Sequence, residues 1–190
     1  MREHGINQLN NFISGYYLDD TSICDKIVEY QKNSPDKHQG KINNGVFSNV
    51  KKSTDVFLEN DLLTEYLSKH LQPCVDEYIK QYEFCNYYAP FGVRENVIIQ
   101  HYAPSEGFYG WHTERTYLKM PAVSRHLVFM TYLNDVTDGG QTEFFHQKLK
   151  IKPEKGLTLI WGADWTFTHR GITSEMQDKY IVTGWTNFID

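Results

Sequence analysis

The spacing of apolar residues changes near the middle of the chain, and this change limits the possible folds more than any other feature of the sequence. In the first half, apolar residues recur at helical spacing in three segments, which begin after the capping residues 20–22, at Asn60 or Asp61, and after Pro73. We expect Pro73 to break or kink the second helix and the segment 43–45 to form a turn. The apolar faces of these helices predict a layer that packs on another element.

The second half contains short β-rich runs instead. They lie at 97–102, 127–133, 141–145, 148–151, 157–161 and 179–188, with glycine- and proline-containing turns between them. Such close spacing predicts an antiparallel sandwich or barrel rather than alternating strands and helices. The predicted fold class is therefore α+β. We expect residues 1–92 to form a helical support region of the same domain as the β core at 93–190.

The composition argues against several classes of protein. A chain of 190 residues with 40% apolar and 23% charged residues is typical of one globular domain, and its net charge of −5 argues against a nucleic-acid-binding protein. No apolar run reaches the ~18 residues of a membrane span, and the first residues lack the apolar segment of a signal peptide. Three cysteines without Cys-x-x-Cys spacing predict a reducing environment, and therefore a cytoplasmic protein.

The candidate site begins with His112 and Glu114. On extended backbone, two side chains two residues apart point to the same side, so the imidazole and the carboxylate can bind one metal ion. Alone the pair carries little information, because chance supplies about one His-x-acid match in a chain of this composition. His169 follows the predicted strand at 157–161. If it approaches the pair, it completes the two-histidine, one-carboxylate set of non-haem Fe(II) oxygenases.

Lys179 is a further candidate, ten residues after His169. It alternates with Ile181 and Trp185 on one face of the last predicted strand. A lysine buried on this face needs an anionic partner, such as the far end of a dicarboxylate. The alternative is a lysine at the strand end whose ammonium group reaches water.

Four spaced motifs run through the second half of the chain. Gln-His-Tyr at 100–102 lies ten residues ahead of His-Thr-Glu at 112–114, and Tyr-Leu-Asn-Asp at 132–135 precedes Gly-Gly-Gln-Thr-Glu-Phe at 139–144. The segment 165–171 surrounds the second histidine, and Lys179 is followed by Trp185 six residues later. In this order and spacing, the stretch 97–187 resembles the prolyl 4-hydroxylase-type branch of the Fe(II)/2-oxoglutarate-dependent dioxygenases.

The resemblance implies a double-stranded β-helix, or jelly roll, with N-terminal support helices. It implies that Fe(II) is bound by His112, Glu114 and His169, and that Lys179 pairs with the C5 carboxylate of 2-oxoglutarate. It assigns five other residues to the co-substrate pocket, namely Tyr102, Tyr132, Thr142, Thr183 and Trp185. It further implies O2 as a co-substrate, ascorbate as a reductant that some relatives bind, and hydroxylation with release of succinate and CO2.

Glu114 departs from the family, which usually has Asp at this position. The extra methylene moves the carboxylate outward by about one C–C bond, whereas metal sites tolerate only ~0.2 Å in ligand distance. Either the backbone compensates, or iron binds less tightly, or the site has lost its metal.

Peptidyl proline is the first candidate substrate by resemblance, and a free amino acid or another small metabolite is the alternative. The loops at 105–111 and 117–123, with Trp165 and Arg170, are expected to form the mouth of the site, or else to pack around the metal. The rival classes are a nucleic-acid repair dioxygenase, a jelly-roll metal enzyme without 2-oxoglutarate, and a non-catalytic protein of the same fold. An outward-facing Lys179 would favour the second of these.

Overall fold

The computed structural model describes residues 1–42, 45–116 and 118–189. Its strands are β1 (Arg2–Glu3), β2 (Ser14–Tyr17), β3 (His38–Gln39), β4 (Thr54–Phe57), β5 (Phe91–Val93), β6 (Ile98–Tyr102), β7 (Arg125–Tyr132), β8 (Thr142–Phe144), β9 (Leu149–Ile151), β10 (Leu157–Gly162), β11 (His169–Gly171) and β12 (Lys179–Phe188). The larger sheet has the order β1-β2-β10-β7-β12-β6-β4-β3, with β5 also paired to β12, and the smaller sheet has the order β11-β8-β9. All described strand pairs are antiparallel. Asn43, Asn44 and Tyr117, which fall in the predicted turn and in a predicted loop of the mouth, lie outside the described residues.

The helices form a layer on one face of the larger sheet. They are α1 (Ser22–Asn33), α2 (Asn60–Glu65) and α3 (Gln72–Gln81), and Tyr66–Leu71 winds as a π-helix between α2 and α3. The first two helices begin where the sequence predicts. Of the prediction that Pro73 breaks or kinks the helix, the break is wrong, because the backbone stays helical from Asn60 to Gln81 and Pro73 follows directly on the π-helical segment.

The buried apolar residues form two clusters, one between the helices and the larger sheet and one between the two sheets, and strand β12 contributes to both. Tyr180 and Val182 belong to the cluster beneath the helices, whereas Ile181 and Trp185 face the cluster between the sheets. This alternation follows from the two-residue period of a strand, and it matches the predicted faces. Helices, larger sheet and smaller sheet therefore make three layers. The two sheets form the double-stranded β-helix that the resemblance implies.

Residues 1–92 contain strands as well as helices. β2 pairs with β10 and β4 pairs with β6, so both extend the larger sheet. The prediction of a helical region therefore omits these strands, because each has four residues or fewer and takes its conformation from the strand beside it. None of the helices in the described ranges combines the length and apolar character needed to span a bilayer.

Candidate metal centre and co-substrate cavity

Three potential metal ligands converge at the start of β11. His112 and His169 form an isolated β-bridge, in which each backbone N–H donates to the carbonyl oxygen of the other residue, at 3.0 and 2.9 Å. Oε1 of Glu114 lies 3.6 Å from Nε2 of His112 and 3.4 Å from Nε2 of His169, and the ligand atoms all lie within 4.8 Å of one another. The structure thus brings together the three residues that the sequence nominates, in the donor set typical of non-haem iron.

Backbone carbonyl groups orient both imidazole rings. Nδ1 of His112 donates to the carbonyl oxygen of Gly110 at 3.0 Å, and Nδ1 of His169 donates to that of Phe167 at 2.8 Å. Since a carbonyl oxygen can only accept, both rings carry a proton on Nδ1, and the neutral rings present the lone pair of Nε2 to a metal ion. Burial, with the neighbouring His169, lowers the pKa of His112 and so favours this neutral form. The ring of Phe108 stacks on His112 with a centroid separation of 3.6 Å.

The carboxylate of Glu114 is positioned by β7 and β12. Its Oε2 accepts a hydrogen bond from Nε1 of Trp185 at 3.0 Å, and Nη1 of Arg125 lies 3.8 Å from the same oxygen. Arg125 also donates to the backbone carbonyl of Glu114 at 2.8 Å, and its guanidinium lies 3.6 Å from the ring centroid of Trp185. Glu95 fixes Arg125 through two hydrogen bonds of 2.8 and 2.6 Å. These contacts occupy Oε2 and leave Oε1 facing the imidazoles.

The Glu114 carboxyl is ionised. Burial acts to raise its pKa, but hydrogen bonds and charge from His112 and His169, in the form in which Nε2 is also protonated, outweigh burial and hold the pKa well below its usual range. A metal ion that replaced those two protons would favour the ionised carboxyl in the same way. A divalent cation binds a carboxyl group in its ionised form, and Glu114 presents that form opposite two imidazole nitrogens.

Lys179, the first residue of β12, is also buried, at 5% exposure. Its Nζ donates to the carbonyl oxygen of Gly140 at 3.2 Å and lies 4.7 Å from the ring centroid of Tyr102. Burial lowers the pKa of Lys179 from 10.5 to about 8, and no acidic group of the described chain offsets this effect. The ammonium group therefore does not reach water, and the outward orientation that would favour a metal enzyme without 2-oxoglutarate is absent.

The contact between Gly140 and Lys179 depends on the Gly-Gly turn. Gly139 and Gly140 have φ values of +153° and +73°, which favour glycine. A Cβ atom at Gly139 would collide with the carbonyl oxygen of Thr173. The two glycines of the motif at 139–144 therefore allow the turn that brings the backbone carbonyl of Gly140 to the buried ammonium of Lys179.

A cavity of about 750 Å³ is lined by the three ligand residues and Lys179. Four of the residues assigned to the co-substrate pocket by resemblance also line it, namely Tyr102, Thr142, Thr183 and Trp185. The hydroxyl of Tyr102 donates to Gln100 at 2.6 Å, and that of Thr183 donates to the carbonyl oxygen of Phe129 at 2.9 Å. Because Trp185 donates to Glu114, it lies beside a candidate metal ligand.

Tyr132 is the exception among the assigned residues. It is fully buried and lies outside the cavity lining. Its hydroxyl is 2.6 Å from the hydroxyl of Thr142, so it orients a lining residue from behind.

The predicted mouth of the site exposes several aromatic residues. Trp111 and Trp165 are 40% and 67% exposed, and Phe145 lies 5.1 Å from Trp111 in an edge-on arrangement. The guanidinium of Arg170 lies 4.4 Å from the ring centroid of Trp111. Of the residues predicted to form the mouth, Phe108, Pro121 and Arg170 line the cavity, whereas Trp111 and Trp165 lie outside its lining. Phe108 also packs on His112.

Sequence reasoning missed several residues of the cavity. Glu95 and Arg125 form the ion pair behind Glu114, and Lys51 and Asp55 form a second buried pair, 2.9 Å apart, that lines the cavity. No spacing rule connects Glu95 with Arg125, because the two residues meet only through the pairing of distant strands. A buried ion pair inside a strand pattern is likewise invisible until the sheet is assembled.

Comparison with known families identifies the β core. Residues 97–187 match the family described as the 2OG-Fe(II) oxygenase superfamily, and this segment contains the three candidate metal ligands and Lys179. This match confirms, over residues 97–187, the resemblance drawn from the sequence motifs. The family implies Fe(II), 2-oxoglutarate and O2 as the cofactor and co-substrates. No curated protein matches the sequence.

Solved prolyl hydroxylases share the fold. A prolyl hydroxylase from Trichoplax adhaerens, in complex with a peptide fragment of the hypoxia inducible factor oxygen degradation domain, has a TM-score of 0.75 at 20% identity, covering 96% of this chain and 87% of its own. The viral collagen prolyl hydroxylase of Paramecium Bursaria Chlorella virus-1, in its 2OG complex, has a TM-score of 0.69 at 17% identity and covers 94% and 97%. A Pseudomonas putida prolyl-4-hydroxylase has a TM-score of 0.68 at 14% identity and covers 97% of both chains. At these identities the likeness establishes the fold.

Proposed function

We propose that this protein is an Fe(II)- and 2-oxoglutarate-dependent oxygenase that hydroxylates peptidyl proline and releases succinate and CO2. The observation that supports this proposal is one cavity that contains both the His112, Glu114 and His169 triad and the buried ammonium of Lys179. A metal site alone fits many jelly-roll enzymes. A buried cation without an acidic partner beside the metal site fits a co-substrate with two carboxylates.

The residues of the cavity fit these groups. His112, His169 and Glu114 would bind Fe(II), because two neutral imidazole nitrogens and one carboxylate oxygen leave further coordination positions open. Lys179 would bind the C5 carboxylate of 2-oxoglutarate through a charge-assisted hydrogen bond. The bound iron and 2-oxoglutarate would supply O2 activation and oxidative decarboxylation. Trp185 would keep Oε1 of Glu114 directed at the ion, because its N–H holds Oε2.

The peptide substrate is inferred from two observations. The solved prolyl hydroxylases of this fold include one in complex with a peptide fragment. Next to Arg170 of the cavity lining, the protein exposes the aromatic residues Trp111, Phe145 and Trp165, and aromatic surfaces suit extended, proline-containing peptides. A free amino acid bound in the cavity would leave this aromatic surface unused.

Three further assignments belong to the proposal. Residues 1–92 support the β core as part of the same domain, since β2 and β4 extend its larger sheet. Ascorbate restores Fe(II) after turnover without substrate. The protein works in the cytoplasm, in keeping with three free cysteines, of which Cys24 and Cys74 are buried.

Two measurements test the proposal in sequence. Anaerobic addition of 2-oxoglutarate to the Fe(II)-loaded protein should give a weak visible charge-transfer band, and His169→Ala should abolish it together with metal binding. Succinate release is then measured with proline-containing peptides, with the same peptides carrying alanine in place of proline, and with free proline. We expect release only with the first set.

The outcomes separate the parts of the proposal. Metal binding without a band would contradict the use of 2-oxoglutarate, and absence of metal binding would indicate a non-catalytic protein of this fold. A band with succinate release from free amino acids alone would retain the oxygenase and reject the peptide substrate.

A further inference from the structure

Trp161 contains a buried hydrogen-bond donor that the protein leaves unused. The residue is 1% exposed, and its Nε1 has no hydrogen-bond partner among the described residues. Buried polar groups in native proteins are nearly always paired, so an indole N–H in this state calls for a partner that the chain itself does not supply. By contrast, Nε1 of Trp185 donates to Glu114 at 3.0 Å.

The position of Trp161 connects this donor to the metal site. Trp161 and Trp185 both pair with Val128 of β7, so the two indoles lie in one row across three strands, on the face that packs between the sheets. The Trp161 ring centroid is 5.1 Å from that of His169, with the ring planes 79° apart. Trp161 also lines the cavity that contains the triad and Lys179. The indole of Trp161 therefore borders the space in which the proposed co-substrate would lie.

We infer that Trp161 is a co-substrate-positioning residue, whose indole N–H donates a hydrogen bond to an oxygen atom of 2-oxoglutarate bound at the triad. This inference rests on the proposed function and adds a contact to it. The acceptor that the cavity is proposed to receive carries anionic oxygens, and a hydrogen bond to an ionised acceptor is stronger than one between neutral groups. A phenylalanine would fill most of the same apolar space between Phe144 and His169 but would lack the donor, so the prediction concerns the N–H itself.

The test observes the indole directly. The protein contains four tryptophans, so a 15N-labelled, Zn(II)-loaded sample gives four indole N–H signals, and Trp161→Phe assigns one of them by its loss. Addition of 2-oxoglutarate should move the Trp161 proton signal downfield, as expected when the N–H gains an acceptor. The signal of Trp165, whose side chain is 67% exposed at the mouth, should stay in place. If Trp161→Phe does not fold, through-bond assignment of the wild-type signals gives the same answer.

A binding measurement complements the spectrum. Trp161→Phe should raise the dissociation constant of 2-oxoglutarate at least about tenfold, as expected for the loss of a hydrogen bond to a charged acceptor, while Zn(II) affinity stays unchanged. Trp165→Phe is the matched control and should change neither affinity.

The other possible results show whether the inference about Trp161 or the proposed function itself is wrong. If other signals respond to 2-oxoglutarate but the Trp161 signal stays and the phenylalanine variant binds as tightly as wild type, the inference is wrong and the proposed function stands. If the Trp161 signal moves with Zn(II) alone and not with 2-oxoglutarate, the acceptor is a metal-bound water, and the inference is again wrong. If 2-oxoglutarate changes no signal and gives no visible band with Fe(II), the proposed function itself fails.

Discussion

Replacement of Lys179 by methionine should stabilise the protein and weaken its binding of 2-oxoglutarate at the same time. Methionine has a similar length and no charge, so it removes the ammonium and leaves the apolar packing of the stem largely intact. The two effects have opposite signs because the folded protein buries the cation without an acidic partner, whereas a dicarboxylate would supply that partner.

The stability gain follows from the pKa. Burial lowers the pKa of Lys179 from 10.5 to about 8, and this difference corresponds to about 3 kcal/mol of destabilisation at pH 7, where the lysine is charged in both states. Between pH 8 and 10.5 the unfolded chain binds more protons than the folded one, so the contribution of Lys179 to the free energy of unfolding rises with pH in this window. Lys179→Met should therefore add up to about 3 kcal/mol at pH 7 and much less at pH 10.5.

The binding loss has its own pH dependence. In the wild-type protein the ammonium loses its proton above pH 8, so the dissociation constant of 2-oxoglutarate should be about tenfold higher at pH 9 than at pH 7. In the variant, the constant should be higher by about ten- to a hundredfold at pH 7, the loss expected for a charged hydrogen bond. The increase of the dissociation constant between pH 7 and pH 9 should be absent in the variant.

Urea denaturation of the metal-free protein and anaerobic titration of the Fe(II) form measure the two effects. Lys152→Met is the matched control, since Lys152 is exposed, and it should change neither quantity. A variant no more stable than wild type at pH 7 would refute the burial argument. An unchanged affinity for 2-oxoglutarate would assign the anchor to another residue.

Three further substitutions test the metal centre. His112→Ala should abolish Fe(II) binding and turnover, and retained succinate release would remove His112 from the ligand set. Trp185→Phe removes the N–H that holds Oε2 of Glu114, so Fe(II) affinity should fall about tenfold with the thermal midpoint little changed; an unchanged affinity would show that Arg125 suffices to orient the carboxylate. Glu114→Asp retracts the carboxylate from Trp185 and should also weaken Fe(II) binding about tenfold, whereas equal or tighter binding would show that the site is built for the shorter side chain.

The elements that the sequence predicts well are those whose signal is local. The start of α1, the strands β6 to β10, the strand β12 and the alternation along β12 follow from periodicity and turn residues within a few positions. The short strands β1 to β4 were missed because their conformation depends on neighbours far along the chain, as when β2 pairs with β10. The apolar pattern of the second predicted helix extends into Tyr66–Leu71 but does not indicate that this segment winds as a π-helix.

The same distinction between local and long-range signals applies to the residues of the candidate site. His112 and Glu114 could be nominated from their two-residue spacing, and His169 and Lys179 from the motifs around them. The buried state of Lys179 could not be decided, because it depends on the Gly140 carbonyl and on the sheet that covers the ammonium. Trp161 gave no signal at all, since a tryptophan in an apolar strand is the ordinary pattern of a core residue.

Glu114 shows why local spacing does not determine whether an altered ligand still fits. The extra methylene of Glu would misplace a carboxylate that is free to rotate. Here Trp185 and Arg125 engage Oε2, and Arg125 also binds the backbone carbonyl of Glu114. The longer side chain is thus constrained at both ends, and Oε1 is directed at the two imidazoles. The alternative that backbone and surroundings have adapted to Glu therefore has a physical basis in residues up to 71 positions away in the sequence.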